Sequence, residues 1–114
     1  MSTYTKLKLS GSIDGKGIKV TQTATPGDII HTAHVSALDE IWIQAVNTGA
    51  ADVKLTIEWG EETAPDGNIP CTVPGQSGLQ LIIPGNLLTN SLVVRAFAET
   101  ANVVIIHGFV NRIS

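Results

Sequence analysis

Asp52-Val53-Lys54-Leu55-Thr56-Ile57-Glu58-Trp59 alternates apolar and polar side chains without a break. Successive side chains of an extended chain point to opposite faces, so Val53, Leu55, Ile57 and Trp59 are expected inward and Lys54, Thr56 and Glu58 outward. A helix would scatter the same residues around its circumference, so the stretch reads as a half-buried strand. Leu38 to Asn47, just upstream, has Ile41, Ile43 and Ala45 on one side and Trp42, Gln44 and Val46 on the other. Between them, Asn47-Thr48-Gly49-Ala50 reads as a hairpin turn.

The same reading extends outward in both directions. Tyr4 to Leu9 alternates, with Leu7 and Leu9 opposite Lys6 and Lys8, and short strands are expected around Ile18 to Val20 and over Ile29 to Val35. Gly60 to Gln76, rich in Pro and Gly, is expected to be a long surface loop with an edge strand at Ile69 to Val73, since proline cannot donate to a sheet ladder. Leu79 to Ile83 is a strand that Pro84-Gly85-Asn86 should break. Ser91 to Ala98 and Asn102 to Val110 complete the set, joined by Glu99-Thr100-Ala101-Asn102. No long window carries helical periodicity. Eight or nine short strands with regular turns predict an all-β, single-domain antiparallel β-sandwich over residues 1–114, with a jelly roll preferred to an Ig-like arrangement.

Composition sets the outer bounds. A chain of 114 residues can bury one self-standing core. Only 15% of its side chains are charged, against about 25% in ordinary soluble domains, and the mean hydropathy of +0.22 excludes global disorder. The longest apolar run, Val103 to Ile106, ends at His107, far short of the ~18 residues of a membrane-spanning helix. A net charge of −3 argues against non-specific nucleic-acid binding. Cys71 is the only cysteine, so no intrachain disulfide forms, and Met1 to Lys6 shows no apolar leader; synthesis in a reducing cytoplasm without a signal peptide is expected.

The last two strands break the half-buried rule. Leu92, Val94, Ala96 and Ala98 oppose Val93, Arg95 and Phe97, and Val103, Ile105 and Phe109 oppose Val104, Ile106 and Val110, so both faces are apolar. In a two-layer sandwich only one face of each sheet meets the core, and the second must be covered by a loop, with Gly60–Gln76 the candidate, or by another chain. An intermolecular interface is the preferred reading because it also accounts for the scarcity of charge. The charges are segregated besides. Lys6, Lys8, Lys16 and Lys19 face only Asp14 in the first twenty residues, whereas Lys54 is the single cation from Asp28 to Asp66. That asymmetry suits either docking on an acidic partner or a lysine-guarded sheet edge.

A search for chemistry finds little. His31 and His34, three apart on a strand, point to opposite faces and do not make a metal pair. Asp39 and Glu40 diverge in the same way and form no acid/base couple. There is no nucleophile elbow, nothing around Cys71 resembles a nucleophile motif, and Asp14-Gly15-Lys16-Gly17 lacks the spacing of a phosphate cradle. Neither catalysis nor a cofactor is expected. Trp59 is assigned to the core, while Trp42 is a candidate for an interface or, alternatively, for contact with a glycan.

Glu40-Ile41-Trp42-Ile43-Gln44-Ala45-Val46-Asn47 followed by Val53-Lys54-Leu55-Thr56-Ile57-Glu58-Trp59-Gly60, together with the closing Leu92-Val93-Val94-Arg95-Ala96-Phe97-Ala98 and Gly108-Phe109-Val110-Asn111-Arg112-Ile113, resembles the small all-β decoration, or cement, proteins of tailed-bacteriophage capsids. The resemblance runs over nearly the whole chain but includes no diagnostic motif. It implies a structural virion protein on the outside of the head, forming trimers or other small homo-oligomers and clamping the major capsid protein. Val93, Phe97, Val104, Ile106 and Val110 are then the expected oligomer interface, and Lys6 and Lys8 the expected shell contacts. A glycan- or receptor-binding module of the fibre-head type is the alternative.

Overall fold

The computed structural model describes residues 3–114, so the first two residues of the Met1 to Lys6 stretch lie outside the described residues. Nine strands follow one another: β1 (Tyr4–Lys8), β2 (Ile18–Lys19), β3 (Asp28–Thr32), β4 (Leu38–Asn47), β5 (Val53–Trp59), β6 (Asn68–Val73), β7 (Gln80–Leu88), β8 (Val93–Ala98) and β9 (Val104–Ile113). They form two antiparallel sheets packed face to face. One has the order β1-β9-β4-β7, with β2 also paired to β9, and the other the order β3-β8-β5-β6. The expected all-β sandwich is the observed fold.

Alternation places the core as expected. Ile41, Ile43 and Ala45 of β4 and Val104, Ile106 and Val110 of β9 face Leu55 and Ile57 of β5 and Val94, Ala96 and Ala98 of β8, all fully buried. Trp59 packs half-buried at the margin of this core.

Two connections differ from the sequence reading. Asn47–Ala50 is not a hairpin turn, because β4 and β5, like β8 and β9, lie in different sheets. A polar turn between two alternating segments specifies a reversal of direction, which a sheet-to-sheet crossing also supplies. Asn47 organises the first crossing: its buried amide donates to the carbonyls of Ala51 (2.8 Å) and Val73 (3.0 Å) and accepts from the Gly49 N–H (2.9 Å). Pro84-Gly85-Asn86 does not end β7, which continues to Leu88. The pairing with β4 instead shifts between Ile41 and Trp42 and between Ile43 and Gln44, absorbing the extra residues as bulges at a sheet edge, where proline is tolerated.

The outer side of the β3-β8-β5-β6 sheet is partly roofed, by the segment leading into β3 and, from the 60–76 segment, by Glu62 beside Arg95. Thr25 to Gly27, leading into β3, folds onto β5 and β8. Glu58, only 1% exposed, accepts from Thr25 Oγ1 (2.5 Å) and from the Gly27 N–H (2.7 Å), and Arg95 donates to the Gly27 carbonyl (3.3 Å). Thr56 and Glu58 thus point away from the core as expected, yet both are buried. Loss of these bonds would leave the Gly27 N–H buried without an acceptor. Glu58→Ala is therefore expected to destabilise the fold by about 1–3 kcal/mol, measured by urea unfolding.

Candidate functional site

The opposite sheet presents its outer side without a covering segment over its central rows. Strand pairing sets out those rows residue by residue. Tyr4, Ile113 and Leu38 stand together at one end, followed by Lys6, Asn111, Glu40 and Leu87, then Lys8, Phe109, Trp42 and Pro84, then His107, Gln44 and Leu81. Three residues singled out separately in the sequence, Lys6, Lys8 and Trp42, thus lie on one face.

At the centre of this face the side chains stack across four strands. The ammonium of Lys6 on β1 sits over the Phe109 ring, 4.5 Å from its centroid, and the rings of Phe109 on β9 and Trp42 on β4 are nearly parallel (10°), with centroids 5.9 Å apart. Gly85 of β7 ends the row. A Cβ on Gly85 would lie 2.8 Å from Cζ2, 2.9 Å from Cε2 and 3.3 Å from Nε1 of Trp42. A point beside that ring edge and in the ring plane would sit farther from Cε2 than this, so the glycine lies over the ring's face. β4 runs between β9 and β7, which puts Phe109 and Gly85 on opposite faces of the indole. Only a residue without a side chain fits here, and its φ of +85° is one that glycine adopts freely.

The polar edge of the indole is also engaged. Trp42 Nε1 donates to Glu40 Oε1 (2.7 Å), which accepts as well from Asn111 Nδ2 (3.1 Å). These two bonds hold the Glu40 carboxyl below its ordinary pKa, so it is ionised at neutral pH. Phe109 and Gly85 each take part of the indole surface and its N–H is already donated, which leaves less of the ring for a sugar to stack on. What results is a pre-ordered ridge of ring edges flanked by two lysines. A ridge of this kind suits a protein surface, since it loses little side-chain freedom on contact.

The predicted interface residues divide between separate places. Val104, Ile106 and Val110 are fully buried in the chain's own core, so they are not available to a partner. On β9 the residues of the other parity, Ile105, His107 and Phe109, face outward. Val93 and Phe97 lie half-buried on the outer side of the other sheet with Arg95, and Val93 lines a shallow groove of about 200 Å³ with Glu61, Glu62 and Arg95. Arg95 Nε stands 3.6 Å from Glu62 Oε1 at this groove.

A buried ionic network ties the two sheets together at one end. Arg112 on β9 grips Asp39 on β4 through Nε to Oδ1 (2.7 Å) and Nη2 to Oδ2 (3.0 Å). His31 on β3 accepts the Ser10 N–H at Nδ1 (2.9 Å), so its hydrogen is carried on Nε2 and donated to Asp39 Oδ2 (2.7 Å). The His34 N–H adds a fourth bond to the same carboxylate (3.2 Å). Burial pushes the Asp39 pKa upward, but the hydrogen bonds from Arg112 and His31, reinforced by the Arg112 charge, outweigh it and hold the carboxyl below its ordinary value; the same pairing raises Arg112. His34 Nδ1 accepts from the Ser36 N–H (3.1 Å) and the Ala37 N–H (2.9 Å). His31, His34 and Asp39 are thus engaged in structural bonds. Among the described residues no three His, Cys, Asp or Glu side chains gather as a metal would require, and every buried side-chain nitrogen and oxygen has a hydrogen-bond partner. Burial raises the pKa of the Cys71 thiol, which disfavours the thiolate.

Searches against family models, curated proteins and solved structures find no match to this chain.

Proposed function

We propose that this chain is a structural virion protein that decorates the outside of a tailed-phage head and stabilises the shell through the outer face of the β1-β9-β4-β7 sheet. The observation that carries the reading is that face: a fixed Lys6–Phe109–Trp42 stack beside Lys8, open along its centre. The strand order lends further support. Four strands in the order β1-β9-β4-β7 over four in the order β3-β8-β5-β6 are what two interlocked Greek keys produce, the jelly-roll arrangement common in capsid and lectin domains. Many copies, each burying a modest area and binding the mature shell more tightly than other forms, would shift the shell toward its mature state.

Electron microscopy and mass spectrometry of native particles from the cells that encode the chain test the reading directly. The expected result is the chain on the head exterior in a fixed ratio to the major capsid protein; its absence from every particle would overturn the proposal. Trp42→Ala removes the middle of the stack and Lys6→Glu its cationic end. Each is expected to weaken binding to purified heads by about ten- to a hundred-fold in a cosedimentation assay.

A further inference from the structure

The low charge content is not evenly spread. From Gly67 to Val94, about a quarter of the chain, no residue is Asp, Glu, Lys, Arg or His; all seven cations and all ten acidic residues lie elsewhere. This neutral stretch contains β6 and β7. Each is the last strand of its sheet, and β6 reaches across the sandwich to touch β4, the neighbour of β7, so both edges lie on the same flank. Exposed apolar side chains stand where the flank meets the outer face of the β1-β9-β4-β7 sheet: Leu79, Leu81 and Leu87 are 53%, 55% and 51% exposed, the last two at the β7 end of the rows described above. The opposite edge of the β7 sheet is β1, which carries the solvent-facing Lys6 and Lys8 that discourage edge-to-edge association.

We infer that the β6–β7 flank is a self-association surface, occupied by the same flank of a second copy related by a two-fold axis. Under such an axis every patch meets itself, so a charged side chain near the axis would face its own like charge. A surface without charge avoids that repulsion and offers nothing to select a charged partner. Gln76, Gln80 and Asn86 suit the same symmetry, because an amide both donates and accepts and can pair with its own copy. Pro70 on β6 and Pro84 on β7 supply no N–H, so the contact is made by side chains, with the leucines as anchors, rather than by extending a sheet ladder. Charges border the flank instead of interrupting it: Glu40 is opposite Leu87, Lys54 is opposite Thr72, and Asp52 accepts from the Gly75 N–H. An apolar centre with a charged rim is the usual anatomy of a protein interface.

The inference rests on the assembly role proposed above for its purpose, yet it is tested on purified protein alone, so its failure leaves shell binding unaffected and the reverse. Sedimentation velocity over a concentration series is expected to show the wild-type chain self-associating. Leu81→Asp and Leu87→Asp are each expected to weaken that association on the order of ten- to a hundred-fold, with circular dichroism unchanged because both side chains are exposed. In a Cys71→Ser background, Leu81→Cys is expected to yield a disulfide-linked dimer on mild oxidation. A wild-type chain that stays monomeric at its solubility limit, or an oligomer that survives both aspartate variants, overturns the inference.

Discussion

Asp39→Ala is expected to lower stability by about 3–5 kcal/mol, the usual cost of stripping one partner from a buried ion pair. At this chain length that corresponds to a fall in Tm of roughly 10–20 °C by differential scanning calorimetry. The effect is large because a single carboxylate receives four hydrogen bonds from Arg112, His31 and the His34 backbone, joining β9 and β4 of one sheet to β3 of the other. Its loss leaves the Arg112 guanidinium without its counter-charge. The pH dependence has a definite sign. Because the folded state holds the Asp39 pKa below that of the unfolded chain, its contribution is fully present above the ordinary carboxyl value of about 4 and disappears as pH falls through the folded value. The stability gap between the wild type and Asp39→Ala should therefore be wide at neutral pH and narrow in acid. A gap independent of pH would show that Asp39 acts through shape instead of charge.

Gly108→Ala is expected to cost about 3 kcal/mol or more, an unusual penalty for one added methyl group. Gly108 lies in the middle of β9 opposite Ile43, and a Cβ there would sit 2.0 Å from the Trp42 carbonyl oxygen. The obstacle is backbone, so no side-chain rotation relieves it. β9 would have to move away from β4 at the point where Phe109 stacks on Trp42, and the tryptophan fluorescence should change along with the melting temperature. Gly78→Ala is the control. Its φ of +80° carries backbone strain, but nothing lies within 4 Å of the added carbon, so its cost should be confined to about 1–2 kcal/mol with the fluorescence unchanged.

Much of the architecture is legible in the sequence because strand alternation is a local property. Val53, Leu55 and Ile57 face the core as their spacing demands, and Ile41 and Ile43 turn away from Trp42 as theirs does. Alternation gives the parity of a strand but not the sheet to which it belongs. For that reason Asn47–Ala50, a crossing between layers, looks identical to a hairpin. Parity itself fails where both faces are apolar. In Val103 to Ile106 nothing in the sequence says which pair points inward, and the set chosen as interface, Val104 and Ile106, is the core set. Glu58 and Asp39 mislead for a different reason. Their burial depends on partners remote in sequence, Gly27 and Arg112, that only the tertiary fold supplies. The stacked row was half visible: Trp42 and Lys6 stood out by residue type, but the pairing of Trp42 with Phe109, and the need for glycine at position 85, follow from the pairing of strands far apart in the chain. The neutral run from Gly67 to Val94 was readable throughout, and its meaning depended on β6 and β7 sharing a flank.

The placement of β9 governs when this protein can take shape. Of the nine strands described it comes last in sequence, yet it lies between β1 and β4 and also holds β2, and beyond it the Thr3 and Ser114 backbones exchange hydrogen bonds of 2.8 and 2.9 Å. Until it emerges from the ribosome, the sheet has a gap at its centre and one edge of β4 is unpaired. Closure must wait for β9 and must then join β1 to a strand about a hundred residues away, the slow, non-local kind of step that leaves apolar strands unprotected in the interval. The nascent chain passes through a vulnerable period that the finished protein does not share.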